Sequence, residues 1–343
     1  DDGWDYDGDG ACDAGDDDDD DDGALDDADS DDNDEFVCSD SDSDGCDDCS
    51  SGSVDTSNDG ADYDSDGICD TGDACQGGDD AYDVDGDGLP DACDVDIALG
   101  EGANLISLYA LGDDSSVSGV FGSLGDAAIG VIGESVVSAN FDGTWIGSLQ
   151  DVSLEDGYWV KVNADATLDV DGTPSSEQWD LNYSLVQGNN LISYPYDVGQ
   201  DLDGVDGTGL YGISGEGVAA INIGGTWYGS LNGFDGGSGY WFVTTGDMDF
   251  NYNEPSSDAL SREIAHNTLP QVPVAYAYTQ STRQSFFFVE DITIDGQGLD
   301  NSDWIIAYNG DVVVGARQWN GEYTDIPAMG HDNNTATAGY GDS

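Results

Sequence analysis

Aspartates spaced two apart, with a glycine after the third and a further aspartate three residues later, are the chemistry-bearing pattern of this chain. The pattern D-x-D-x-D-G-x-x-D occurs as Asp5, Asp7, Asp9, Gly10, Asp13 and as Asp18, Asp20, Asp22, Gly23, Asp26. It returns as Asp40, Asp42, Asp44, Gly45, Asp48, then Asp62, Asp64, Asp66, Gly67, Asp70, and finally Asp83, Asp85, Asp87, Gly88, Asp91. In most copies one more acid follows three residues on, at Asp16, Asp29, Asp73 and Asp94. Alternate side chains of a tight loop converge on one point, and Ca²⁺ is a hard cation that takes about six to eight oxygens there. The glycine supplies the turn. In the run of seven aspartates at 16–22, two such loops abut, so Asp17, Asp19 and Asp21 are expected to point outward.

The loops lie in a background of extreme charge. The 343 residues carry 75 acids against four basic residues, Lys161, Arg262, Arg283 and Arg317. Forty of the acids fall in the first 96 positions, where there is no Lys or Arg. Nucleic acid is excluded as a partner, because phosphate contacts need cationic side chains. An anionic membrane surface is disfavoured for the same reason, and no apolar run is long enough for a membrane-inserting span. All seven cysteines sit among these acids (Cys12, Cys38, Cys46, Cys49, Cys69, Cys75, Cys93). Cysteine confined to a segment with few apolar side chains reads as a disulfide framework in an oxidising, extracellular setting.

The acidic segment repeats. "DGWDYDGDGACDAGD" at 2–16 matches "DGADYDSDGICDTGD" at 59–73, so the chain starts inside a repeat unit and reads as a mature or cropped product. The loops lack the flanking helices of an EF-hand, and the pattern in "DVDGDGLPDACD" (83–94) resembles thrombospondin type 3 repeats and their bacterial relatives. That resemblance covers residues 1–96 and implies a secreted array wound around a line of Ca²⁺ ions and stapled by disulfides. One of the 15 connectivities open to six cysteines pairs them sequentially, Cys38–Cys46, Cys49–Cys69 and Cys75–Cys93, and leaves Cys12 without a partner in the chain.

From residue 97 the composition turns Gly-, Ser-, Val- and aromatic-rich, and a second duplication appears. "ANLISLYA" (103–110) corresponds to "NNLISYPY" (189–196) at an offset of 86. "GESVVSANFDGTWIGSL" (133–149) corresponds to "GEGVAAINIGGTWYGSL" (215–231), and "DGYWVKV" (156–162) to "SGYWFVT" (238–244), both at an offset of 82. Alternation and Gly/Asp/Asn turns predict short strands in both copies, with one weak helical stretch in each, such as 116–124 in the first. A third segment offers strands at 275–281, 285–294, 303–310 and 311–319. The duplicated pattern and "DWIIAYNGDVVVGARQW" resemble modules near the C-termini of secreted surface proteins of marine bacteria, which implies surface display.

These readings predict a mainly β protein. A calcium-stabilised loop array (1–96) precedes two small β modules (97–178 and 179–260) and a C-terminal β-sandwich-like domain (261–343). The array holds few large apolar residues (Trp4, Leu25, Phe36, Ile68, Leu89), so ions and disulfides must replace a core. Catalysis finds no support: His266 and His331 stand alone, and no nucleophile elbow, zinc or P-loop motif occurs. The expected function is that of a secreted, calcium-binding structural protein that self-associates into a filament or surface layer. The alternative is an adhesive region that binds surface glycans through Trp145, Trp159, Trp227, Trp241, Trp304, Trp319, Tyr158, Tyr228 and Tyr240. Strand-pair packing is the plainer role for these rings.

Overall fold

The computed structural model describes residues 3–75, 78–81, 89–90, 92–174, 181–202, 205–253, 255, 267 and 269–341. The chain divides into two compact units, Asp1–Cys93 and Asp94–Ser343. Among its described residues the first unit contains no helix and no strand. A sequence dominated by Asp, Gly and Ser competes for its own backbone with side-chain carboxylates, and turns result.

Three disulfides brace this unit: Cys38–Cys49, Cys46–Cys69 and Cys75–Cys93. Of the sequential pairs, only Cys75–Cys93 forms. The docking of successive loops, not nearness in sequence, sets the other two. The Cys69 amide donates to Asp44 O (2.8 Å) and the Thr71 hydroxyl to Gly45 O (2.8 Å), which brings Cys69 to Cys46. Gly45 and Gly72 meet so closely that a Cβ on Gly45 would lie 2.6 Å from the Gly72 Cα. Asp47 accepts from the amides of both Cys38 and Cys49 (2.9 and 3.0 Å), clamping that pair. Each cross-link is worth ~3 kcal/mol against the unfolded chain. Cys12 is half-buried and outside any disulfide.

The second unit is mainly β. Strand β1 (Asp94–Leu99) opens it, followed by β2 (Gly102–Ser107), β3 (Ala128–Gly133), β4 (Val136–Phe141), β5 (Thr144–Gly147), β6 (Gly157–Val162) and β7 (Ala166–Asp171). The second copy supplies β8 (Tyr183–Leu185), β9 (Gly188–Ile192), β10 (Leu210–Ser214), β11 (Ala219–Ile223), β12 (Thr226–Gly229), β13 (Tyr240–Thr244) and β14 (Met248–Phe250). Each copy forms a five-stranded antiparallel sheet of the same topology, β2-β6-β3-β4-β5 and β9-β13-β10-β11-β12. A two-stranded ribbon, β1–β7 or β8–β14, accompanies each sheet. The β4–β5 and β11–β12 hairpins close through Asp142-Gly143 and Gly224-Gly225, all with positive φ. Two-residue turns of that geometry match the twist of paired strands.

The inner face of the first sheet packs Ile106, Val131, Tyr158 and Val160 against Val95 and Leu168 of its ribbon. The second core is aromatic: Phe234 lies 4.8 Å edge-on from Tyr240 and 5.0 Å from Tyr252, and Tyr194 stacks on Phe234 at 5.5 Å. The expected helical stretch is one short turn, Val117–Val120, capped by the Ser116 hydroxyl and continued by a 3-10 segment, Gly122–Ala127.

The two modules exchange equivalent contacts. Glu134, at the β3–β4 turn, accepts from the Leu191 amide of the second copy (2.9 Å), and Glu216, its counterpart, accepts from the Leu105 amide of the first (2.8 Å). The Ser107 amide donates to Gly237 O (3.0 Å), and the Ser193 amide to Glu155 O (3.1 Å). Ala103, Leu105, Trp159 and Leu191 are buried between them. The repeated Gly-Glu of the sequence is therefore a pair of latches about a local two-fold.

In the third segment β15 (Gln284–Val289) pairs with β18 (Thr324–Met329), and β16 (Trp304–Asn309) with β17 (Val312–Gln318). No strand forms at 275–281. Pro273 starts a 3-10 turn over Val274–Tyr276, which turns the backbone out of ladder geometry. Two of the chain's rare cations fasten this segment to the modules. Lys161 reaches Asp332 (2.9 Å), and Arg317, 5 % exposed, bonds both Asp325 (2.9 Å) and the Gly217 carbonyl.

Candidate metal centre

Four of the five aspartate loops lie in described residues and share one hydrogen-bond plan. The amide at loop position 2 donates to the carboxylate at position 9, as Tyr6 to Asp13 (3.0 Å), Asp19 to Asp26 (3.2 Å), Ser41 to Asp48 (3.0 Å) and Tyr63 to Asp70 (2.8 Å). The position 9 amide returns a bond to the carbonyl just before the loop: Asp13 to Trp4, Asp26 to Asp17, Asp48 to Ser39 and Asp70 to Ala61. The glycine amide donates to the first aspartate, as Gly23 to Asp18 (3.2 Å), Gly45 to Asp40 (3.1 Å) and Gly67 to Asp62 (3.1 Å). The residue after the glycine donates to the third aspartate in all four loops: Asp9 (2.7 Å), Asp22 (2.7 Å), Asp44 (2.8 Å) and Asp66 (2.8 Å). Gly10, Gly23, Gly45 and Gly67 have φ between +93° and +101°, where a side chain is strained.

This bracing commits some carboxylate oxygens and leaves others aimed inward. Asp5, Asp7 and Asp9 bring ligand atoms within 4.8 Å of one another, as do Asp18, Asp20 and Asp22, and Asp40, Asp42 and Asp48. Asp22 (2 % exposed) and Asp48 (1 %) are buried, yet Asp22 Oδ2 and Asp48 Oδ1 accept no hydrogen bond. Asp18 Oδ1, Asp20 Oδ2, Asp59 Oδ2 and Asp73 Oδ2 are likewise buried and unpartnered. Loss of water, then the neighbouring Asp22 charge, pushes Asp20 up to about 6. Loss of water also pushes Asp73 up to about 6, against a hydrogen bond from the Cys75 amide and with the charges of Asp80, Asp64 and Asp66 adding to the rise. Clustered carboxylates deprived of water and of donors are the environment a cation relieves. Asp22 and Asp44 also approach cysteine sulfurs, but those sulfurs are disulfide-bonded and not thiolates. The donor set is therefore all oxygen and suits a hard ion.

Asp16, Asp29 and Asp73 each accept from a nearby amide, at Asp17 (2.9 Å), Asp31 (2.7 Å) and Cys75 (2.6 Å). The fifth loop falls outside the described residues for Asp83, Asp85, Asp87 and Asp91. Asp94 is described and lies in β1, paired with Asp171. Two acids missed by the pattern join the clusters. Asp59 is 7 % exposed and near Asp42, and Asp80 accepts from the Cys75 amide (3.0 Å) while its own amide donates to Asp66 (2.8 Å). Both stand three residues ahead of the next loop's first aspartate, in "DGAD" and "DAYD", and that spacing was the available signal. Asp19 does not point outward as expected. Its Oδ1 is buried, and loss of water together with Asp26, Asp13, Asp16 and Asp32 raises its pKa. Asp17 and Asp21 are exposed.

Comparison with protein-family models, with curated proteins and with solved structures finds no match to this chain. The described residues hold no helix long and apolar enough to cross a membrane. What stands is a mainly β protein with acidic clusters able to chelate a metal ion.

Proposed function

We propose that this is a secreted, calcium-binding structural protein whose first unit is a thrombospondin type 3-like array ordered by multiple Ca²⁺ ions. The buried, unpartnered oxygens of Asp22 and Asp48 carry this reading, because a bound cation satisfies inward-facing carboxylates that are crowded by like charge and poor in donors. Ion binding then becomes folding free energy, in a unit with no strand ladder among its described residues. The disulfides support an oxidising, extracellular location. Exposed acids such as Asp17 and Asp21 are available to bridge copies through shared ions in a filament or layer. The C-terminal segment is a sandwich-like domain that caps the modules.

The glycan-binding alternative draws no support from the rings. Tyr158, Trp159, Tyr240 and Trp319 are buried, and Trp145, Trp227, Tyr228, Trp241 and Trp304 are half-buried. Limited proteolysis with mass mapping tests the calcium reading. In calcium the first unit should resist cleavage, and in EGTA new sites should open between residues 3 and 75 while Asp94–Ser343 stays intact. Identical digestion in both conditions would sink it.

A further inference from the structure

The outer faces of the two modules are unequally covered. On the second module the C-terminal segment lies over the β11–β12 hairpin. Ala219 is 2 % exposed, Ser230 donates to Asp325 (2.8 Å), and the Tyr228 ring meets Tyr323 at 5.0 Å. The Gly217 amide donates to Gln284 (3.1 Å), and its carbonyl accepts from Arg317. The corresponding residues of the first module are Val137, Ser148, Ile146 and Ser135. Ser135 and Ser148 are exposed, and Val137 and Ile146 keep 46 % and 60 % of their surface open. Phe141, 60 % exposed, lengthens the strip.

Three further observations say what covers it. Val137 pairs across the sheet with Ile132, which packs against the buried module–module contact, so the strip continues an interface the chain already makes. The hairpin is nearly free of charge: residues 127–150 contain only Glu134 and Asp142, in a chain of net charge −71. Without an ion between them, two copies of such a chain meet most readily where acids are sparse. The docking seen on the second module is not repeated here either. Val137 is bulkier than Ala219 where the C-terminal segment approaches, and Ile146 lacks the ring and hydroxyl of Tyr228. What remains is apolar, and through Ile146 it reaches β5, the end strand of its sheet. A like surface complements it, and two-fold pairs are the commonest association of identical chains.

We propose that Val137, Phe141 and Ile146 form a two-fold contact between two copies of this chain. The contact names a surface for the self-association suggested above and rests on that part of the reading, but it lies in the second unit and needs no ion. Sedimentation equilibrium of the full chain in calcium, up to about 100 µM, should show a monomer–dimer equilibrium that V137D/I146D weakens at least ~tenfold. Ile294→Asp, at an exposed apolar position of the third segment outside the strip, should leave it unchanged. In a Cys12→Ser background, Ile146→Cys should give a disulfide-linked dimer on mild oxidation. A wild-type chain that stays monomeric, a dimer indifferent to V137D/I146D, or absence of the cross-linked dimer overturns the proposal. Assemblies that survive V137D/I146D but dissolve in EGTA would overturn it while leaving the calcium reading standing.

Discussion

At the scale of the residue, the aspartate loops divide their oxygens between two tasks. One oxygen of Asp48 takes the Ser41 amide and shapes the loop, while the other is buried without a donor. Asp59 does no comparable bracing with its buried Oδ2, and a cation shared with the neighbouring Asp42 accounts for its burial on our reading. Asp59→Asn should therefore weaken calcium binding roughly tenfold, about 1.4 kcal/mol, by calorimetric titration. Asp55→Asn, at an exposed acid four residues earlier, should change it little. Equal affinities for the two variants would remove Asp59 from the site. The periodic ligands were legible because the loop repeats its own spacing. Asp59 and Asp80 were not, since they belong to the clusters of the preceding loops while sitting at the threshold of the next. Cys75–Cys93 was legible, but the partners of Cys38, Cys46, Cys49 and Cys69 were not, for a related reason: contact between loops chooses them, and sequence distance does not encode it.

At the scale of the element, duplication made the sheets readable. Matching segments at offsets of 86 and 82 foretold equal strands, and both sheets have the same order. The turn at Val274–Tyr276 was misread because an apolar-aromatic alternation looks like a strand until its lack of a ladder partner is known. The latch role of Gly-Glu was hidden too, since it depends on the facing module. Glu216 gives it a pH signature. Loss of water around its carboxyl pushes this group up to about 7, against the hydrogen bond from Leu105, although the residue as a whole is exposed. A carboxyl raised from 4.5 contributes stability that is full below its ordinary value and lost as pH rises through the folded one. Glu216→Gln should therefore flatten the fall in melting temperature of the second unit between about pH 4.5 and 7. Parallel wild-type and variant curves would show that the latch does not titrate in this range.

At the scale of the whole molecule, two units solve the same problem with different means. The first replaces a core with carboxylates, disulfides and, on our reading, ions; the second has two packed cores. Scarce cations serve as fasteners in the second. Arg317 and Asp325 are buried together, and Asp325 sits at about 6 because lost water outweighs the guanidinium beside it. Arg317→Met leaves that carboxylate without its ion-pair partner and should cost roughly 3–5 kcal/mol in denaturant unfolding. R317M/D325L should recover most of the loss, and a mild R317M would mean that the segment is held elsewhere.

The paired latches between the modules have a consequence for dilution. Two separate modules facing each other about an axis would part as concentration fell. Carried on one chain, the partner is always present at a local concentration on the order of millimolar. Identity of the two faces is then no longer required for the pair to persist. Val137 could drift from Ala219, and Ile146 from Tyr228, without loosening the exchange of Glu134 for Glu216. Tethering converted a symmetric contact into a permanent one, and so released the outer surfaces to take different neighbours.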